Sequence, residues 1–175
     1  MKLHLGCGQE YKKGWLNVDS NKSLKADLHY DLNFGHWPFK DNSVDEIYAC
    51  AALEHMADVG HFMHECYRIL RRGGVLVIDR YPHFSSSSFF EDFGHIAIPA
   101  SFKAFHYFWK NTDLWGCGPF RSGTVRIMFG KSFAVWNRLV EPLVNLKAPL
   151  MQKVYEGTFL RNLFPAEYLL VKLVK

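Results

Sequence analysis

No apolar run in the 175-residue chain approaches the roughly 18 residues that a bilayer-spanning helix requires. Cysteine is sparse. The four thiols at positions 7, 50, 66 and 117 form no Cys-x-x-Cys pair and stand at no metal-ligand spacing from a histidine. That excludes a disulfide scaffold and a zinc-finger pattern, and reduced, unpaired thiols are expected. An excess of one charge is also missing. Lys and Arg number 21 against 17 acidic residues, a formal charge of only +4, and the basic residues are scattered. No nucleic-acid partner is indicated. The P-loop pattern Gly-x-x-x-x-Gly-Lys-Ser/Thr is absent, and so is any internal repeat. The N-terminal "MKLHLGC" has too short an apolar stretch for a lipoprotein signal, so the cytoplasm is the default expectation.

Apolar residues make up 49% of the chain and aromatic ones 16%, enough for a packed core in one domain. "KLHL" at 2–5 and "WLNV" at 15–18 read as short buried strands, and "ADLHYDL" at 26–32 as a weaker third. After the turn-rich "FGHWPFKDNS", a fourth strand is expected in "VDEIYACA" at 44–51. Val59, Phe62, Met63, Cys66, Ile69 and Leu70 then recur at helical spacing. Asp58 suits the N-cap of that helix, Arg71 and Arg72 its C-terminal dipole, and Gly73 or Gly74 its end. "VLVID" at 75–79 follows as a strand apolar on both faces, which completes a βαβ unit. A long loop, an aromatic helix in "SFKAFHYFWKN", a strand in "GTVRIMFG", a helix over 131–146 broken by Pro142, and a final strand in "AEYLLVKLVK" are expected beyond it.

Parallel α/β sheets bind ligands outside the carboxyl ends of their strands. "GCG" at 6–8 closes the first strand and Asp19 closes the second, so glycine backbone and a carboxylate share one sheet edge. Glycine admits close approach of a ligand, and a carboxylate accepts hydrogen bonds from both ribose hydroxyls. A dinucleotide site would want a third glycine at position 11, where Tyr11 stands. A ribose-bearing ligand without a phosphate cradle fits better, and a nicotinamide-dependent oxidoreductase is the disfavoured rival.

"LHLGCG" with Asp19 resembles the first motif of the class I S-adenosylmethionine-dependent methyltransferases. "DLNFGHWPFKDNSVDEIYACAALEHM" resembles the family's run from third to fourth strand, and "ECYRILRRGGVLVID" its entry into the fifth. Gly14-Trp15 before the second strand is similar to a short bacterial and archaeal subgroup. The resemblance implies an α/β Rossmann-like fold, a mostly parallel sheet with an antiparallel last strand, and S-adenosylmethionine as cofactor. It divides the single domain into a cofactor-binding half, 1–80, and an acceptor-side half, 81–175. Two departures stand out. Arg71-Arg72 replaces Lys-Pro, and the first crossover, residues 6–14, is shorter than the dozen residues a helical one needs. One turn at "QEYKK" is the most it can hold, so helices on both sheet faces require cover from the C-terminal half.

By this resemblance Gly6, Cys7, Gly8 and Asp19 hold the nucleoside. Asp31 and Leu32 read the adenine, and backbone at Cys50 and Ala51 meets the methionine moiety. His55 and His95 are the candidate bases, and Tyr81 and His83 the candidate acceptor contacts. A metal set of His83, Asp92 and His95 matches no standard spacing, and no metal is expected. The aromatic run from Phe102 to Trp115 suits a lid over an apolar or sugar-stacking acceptor, or equally a core-facing helix. Phe133, Trp136, Val140 and Leu143 suit the bare sheet face, and their amphipathic helix also suits peripheral membrane contact. Methyl transfer at oxygen to a small-molecule or glycan acceptor is the expected function. A catalytically silent cofactor-binding module is the alternative, and nothing in the sequence sets the oligomeric state.

Overall fold

Residues 1–110, 119–130 and 134–175 are described by the structure, a computed structural model. Among the described residues, seven strands form one sheet in the order β3-β2-β1-β4-β5-β7-β6. They are β1 (Lys2–Leu5), β2 (Leu16–Asp19), β3 (Leu28–His29), β4 (Val44–Cys50), β5 (Leu70–Pro82), β6 (Ser122–Met128) and β7 (Tyr168–Val174). β1 to β5 pair in parallel, while β7 runs against both β5 and β6. The expected architecture of a parallel sheet with an antiparallel last strand is therefore present. Because β1 lies between β2 and β4, the strand order reverses there, and a crevice opens at the carboxyl ends of those strands.

Helix α1 (Val59–Ile69) connects β4 to β5. Asp58 caps it as expected, its side chain accepting from the His61 N–H at 3.0 Å. Its end differs from expectation. Leu70 is already extended, and β5 begins there. Gly73, at φ 74°, serves a bulge in the β4–β5 ladder, where pairing jumps from Val44↔Leu70 to Glu46↔Val75. Arg71 turns to Asp45. The last carbonyls of α1 are met instead by the Lys175 ammonium, 2.7 Å from the Tyr67 oxygen and 2.8 Å from that of Leu70. A cation from the far end of the chain thus does what Arg71 and Arg72 were expected to do.

The core lies on one face of the sheet. Leu3, Leu5, Ile47, Leu76, Ile78, Val171 and Leu173 are buried there with Phe62, Met63, Cys66 and Ile69 of α1. On the opposite face Glu46, Tyr48, Val75, Val77 and Asp79 are half-buried and Lys172 exposed. The expectation of helices on both faces is corrected: the described helices do not bury that side. The short crossover explains it. Residues 6–14 form turns, not a helix, and cover only the β1–β2 corner. There Lys12 sits over the Tyr48 ring at 4.1 Å, and buried Asn17 donates to the Lys12 and Trp15 carbonyls at 3.0 Å each.

The aromatic segment forms a 3-10 turn, Ala104–His106, and the single-turn helix α2 (Tyr107–Lys110). Its Phe102, Phe105 and Phe108 are buried in the core. Residues 111–115 of the expected lid, with Cys117 and Phe133, fall outside the described residues, and of the Trp136 side chain nothing is described. Helices α3 (Ala134–Asn145), α4 (Leu150–Gly157) and α5 (Leu160–Leu163) lie between β6 and β7. α3 does not cover the bare face as expected; it seals the free edge of β6. Asn145 accepts from the Ile127 N–H at 2.9 Å and donates to the Ile127 carbonyl at 2.7 Å, imitating a strand rung. Glu141 accepts from the Phe129 N–H, and Gln152 donates to the Val125 carbonyl. Edge strands are thereby kept from pairing with other chains. Val144 points inward, whereas Leu139, Leu143 and Leu146 remain exposed. No described helix is long and apolar enough to cross a membrane.

Candidate functional site

The turn after β1 passes through positive φ at Gly6 (60°) and Gly8 (53°). A Cβ at Gly6 would lie 2.6 Å from that of Ala52, so glycine is what lets the β1 and β4 turns close on each other. A Cβ at Gly8 would meet nothing within 4 Å. Between them, Cys7 donates its N–H to the Val18 carbonyl at 3.1 Å and tucks its thiol under the turn, where burial pushes its pKa up.

At the tip of β2, Asp19 Oδ2 accepts from the Gly8 N–H at 2.8 Å and Oδ1 from the Asn21 N–H at 2.9 Å. Each carboxylate oxygen has two lone pairs, so one on each remains for a ligand. After β3, Asp31 accepts from the Asn33 N–H at 3.0 Å, and Asn33 in turn accepts from the Ala57 N–H at 2.8 Å. Asn33 thereby ties the turn after β3 to the turn after β4. Ala51, at φ 46°, donates to the Asp79 carbonyl at 3.0 Å and turns the chain off β4 toward the 3-10 turn Leu53–His55.

These turns enclose a cavity of about 350 Å³, inside the roughly 300–1,000 Å³ range of small-molecule sites. Gly6, Gly8, Asp19, Asp31, Leu32, Ala51 and His55 line it. Cys7 and Cys50 do not; both are buried, and burial pushes the Cys50 thiol up despite the Tyr48 hydroxyl beside it. Tyr30, Asn33 and Met56 also line the cavity and were missed by the sequence reading. Each flanks a residue that reading did select, and adjacency was the available signal.

A second cavity of about 690 Å³ opens beside it, walled by Val59, Tyr81, Ile98, Pro99, Phe105 and Phe108. Met56 borders the first cavity and Ala57 the second. Tyr81 donates to the Ile98 carbonyl at 2.7 Å, and burial pushes its phenol up to about 12. His95 lies against His55 with ring centroids 4.9 Å apart and planes tilted by 53°. His83 is placed elsewhere. It is wholly buried, 3.1 Å from Glu156, and lines neither cavity. Glu54, also missed, is buried next to His55, and burial pushes its carboxyl up.

Residues 3–78 match a family model described as a methyltransferase domain. A protein of Mycolicibacterium smegmatis named "Probable S-adenosylmethionine-dependent methyltransferase" is 39% identical over 92 residues, covering 43% of this chain and 36% of that protein. Methyltransferase GfsG of Streptomyces halstedii is 31% identical over 99 residues, with coverage of 43% and 36%. The match thus extends over about a third of the length of these curated relatives. Among solved structures, an S-adenosylmethionine-dependent methyltransferase from Archaeoglobus fulgidus superposes with a TM-score of 0.64 at 16% identity, covering 99% of this chain and 85% of that one. At that identity the likeness shows the fold.

Proposed function

We propose that this chain, whose residues 3–78 are a methyltransferase domain within a class I S-adenosylmethionine-dependent methyltransferase fold, methylates an oxygen of a small-molecule or glycan-type acceptor. The observation that carries the reading is the cavity at the β1–β2–β4 edge, with Asp19 fixed against Gly8. Its donor set suits S-adenosylmethionine. The open space beside Gly8 admits a ligand, the spare lone pairs of Asp19 suit two ribose hydroxyls, and Asp31 and Leu32 suit an adenine edge. When bound, that cofactor supplies a methyl group already activated on a sulfonium sulfur.

The protein's own task is then to align the acceptor and exclude water. The aromatic cavity beside the site suits an apolar or sugar-faced acceptor. A hydroxyl acceptor must also lose its proton, and His55 and His95 are assigned to that proton. Titration with S-adenosylhomocysteine by calorimetry, then turnover screened over sugars, phenols and lipid-linked glycans, tests the reading. We expect saturable binding and release of S-adenosylhomocysteine with a hydroxyl acceptor. No binding overturns the cofactor site. Binding with no turnover on any class overturns the enzymatic reading in favour of a silent module.

A further inference from the structure

Glu54 is 3% exposed, and its Oε2 has no hydrogen-bond partner in the described residues. A buried carboxylate oxygen without a donor is costly and calls for a ligand. Two histidines face the same spot. His55 Nδ1 lies 2.9 Å from the Gly94 carbonyl and His95 Nδ1 2.9 Å from the Phe89 carbonyl. A carbonyl only accepts, so each Nδ1 carries a proton, and in the neutral ring each Nε2 presents a lone pair, that of His95 4.0 Å from Asp92 Oδ2. Histidine ligands of metals are commonly oriented this way, the second nitrogen donating to a backbone carbonyl. One ligand atom from each of Glu54, His55 and His95 lies within 4.8 Å of the others.

We propose that Glu54, His55 and His95 bind a divalent first-row transition cation. Two imidazoles and one carboxylate suit Zn²⁺, Mn²⁺ or Fe²⁺ and leave coordination positions open. The location gives the open positions a use. His55 lines the cofactor cavity, while the Ala97 N–H bonds the Glu54 carbonyl at 3.0 Å and Ala97 lines the aromatic cavity. The ion therefore stands at the seam between the two. Resting on the methyl-transfer reading, its role is to hold the acceptor hydroxyl and lower its pKa, the proton passing to water. With each Nε2 lone pair given to the ion, the histidines would lower the hydroxyl pKa through the metal and would not themselves take its proton.

The test uses the full chain without a histidine tag, stripped with chelator and titrated with Zn²⁺ or Mn²⁺ against a chromophoric competitor. One equivalent is expected to bind. His55→Ala and His95→Ala are each expected to weaken it at least as much as loss of an outer-shell partner does, about 10–100-fold. His64→Ala, on the exposed side of α1, should leave it unchanged. Circular dichroism and S-adenosylhomocysteine calorimetry on each variant separate ligand loss from misfolding. Absence of one-equivalent binding, or binding indifferent to both histidines, overturns the metal site even where S-adenosylhomocysteine still binds. Metal binding without S-adenosylhomocysteine binding supports the site but overturns the methyl-transfer reading.

Discussion

Asp19 Oδ2 lies 2.8 Å from the Gly8 nitrogen, so the carboxylate at the end of β2 and the glycine turn after β1 are one hydrogen-bonded unit. The acid is fixed before any ligand arrives. Hydrogen bonds to a charged group contribute about 1.5–3 kcal/mol each, and 1.4 kcal/mol is about tenfold in affinity. Asp19→Ala should therefore weaken S-adenosylhomocysteine binding by about tenfold or more in calorimetry. Affinity equal to that of the unmodified chain would refute the assignment of Asp19 to the cofactor.

Gly6 and Gly8 share a backbone conformation but not a surrounding, which separates strain from ligand contact. At Gly6 a methyl adds a 2.6 Å approach to Ala52 to the cost of left-handed backbone. Overpacking costs typically about 1–3 kcal/mol and the conformation about 1–2 kcal/mol. At Gly8 only the second cost arises, and the methyl would occupy open space at the cavity. Thermal melts should show Gly6→Ala as the less stable variant. Calorimetry should show that Gly8→Ala loses more affinity than its stability change accounts for.

Much of the fold was legible because it is written locally. Asp58, the apolar stripe of α1 and the Gly6–Asp19 spacing each act within a dozen or so residues. What was missed depends on contacts between distant segments. The last carbonyls of α1 are met by Lys175, 105 residues beyond Leu70, and no helix-end signal near Arg71 could reveal that. The helices over 150–163 escaped notice because their apolar residues divide between core and solvent, Tyr155 buried and Leu150 exposed. At the cavity, the glycine turn and Asp19 were legible as strand-end residues, whereas Asp31 was selected by the family resemblance alone. His83, expected as an acceptor contact, lines neither cavity, because position after a strand does not say which way a side chain turns. Glu54 escaped because its significance lies in lacking a partner, which only the folded chain shows.

Asn145 stands in for a missing eighth strand along β6. Removing its side chain strips partners from both the N–H and the carbonyl of Ile127, whose side chain is fully buried. An unsatisfied polar group costs about 1–3 kcal/mol when water cannot reach it. Asn145→Ala should lower the urea midpoint by an amount in that range. It should also bare a strand edge, which size-exclusion chromatography would register as concentration-dependent association. A variant of unchanged midpoint whose elution matches that of the unmodified chain at every concentration would mean the edge is protected by other means.

Glu156 makes acid stability a test of the buried network around His83. Burial alone would push its carboxyl up, but three donors outweigh that and hold it below the usual carboxylate range. They are the His83 Nε2 at 3.1 Å, the Ser101 hydroxyl and the Phe102 N–H at 2.9 Å. On the other side of the ring, His83 Nδ1 lies 2.8 Å from the Ser85 hydroxyl and 3.2 Å from the Ser85 N–H. A carboxyl depressed on folding stabilises the native state fully above its unfolded value of about 4.3. That contribution fades as pH falls through the lower folded value. Glu156→Gln removes the charge at every pH. Its deficit in unfolding free energy should thus be largest near neutrality and should shrink steadily below about pH 4. Urea melts of both proteins at pH 7, 5, 4 and 3 give the difference directly, which reports Glu156 together with the His83 ring it contacts, since every other carboxyl is shared. A deficit that stays constant to pH 3 would show that the charge on Glu156 contributes nothing and that the network holds through its neutral hydrogen bonds.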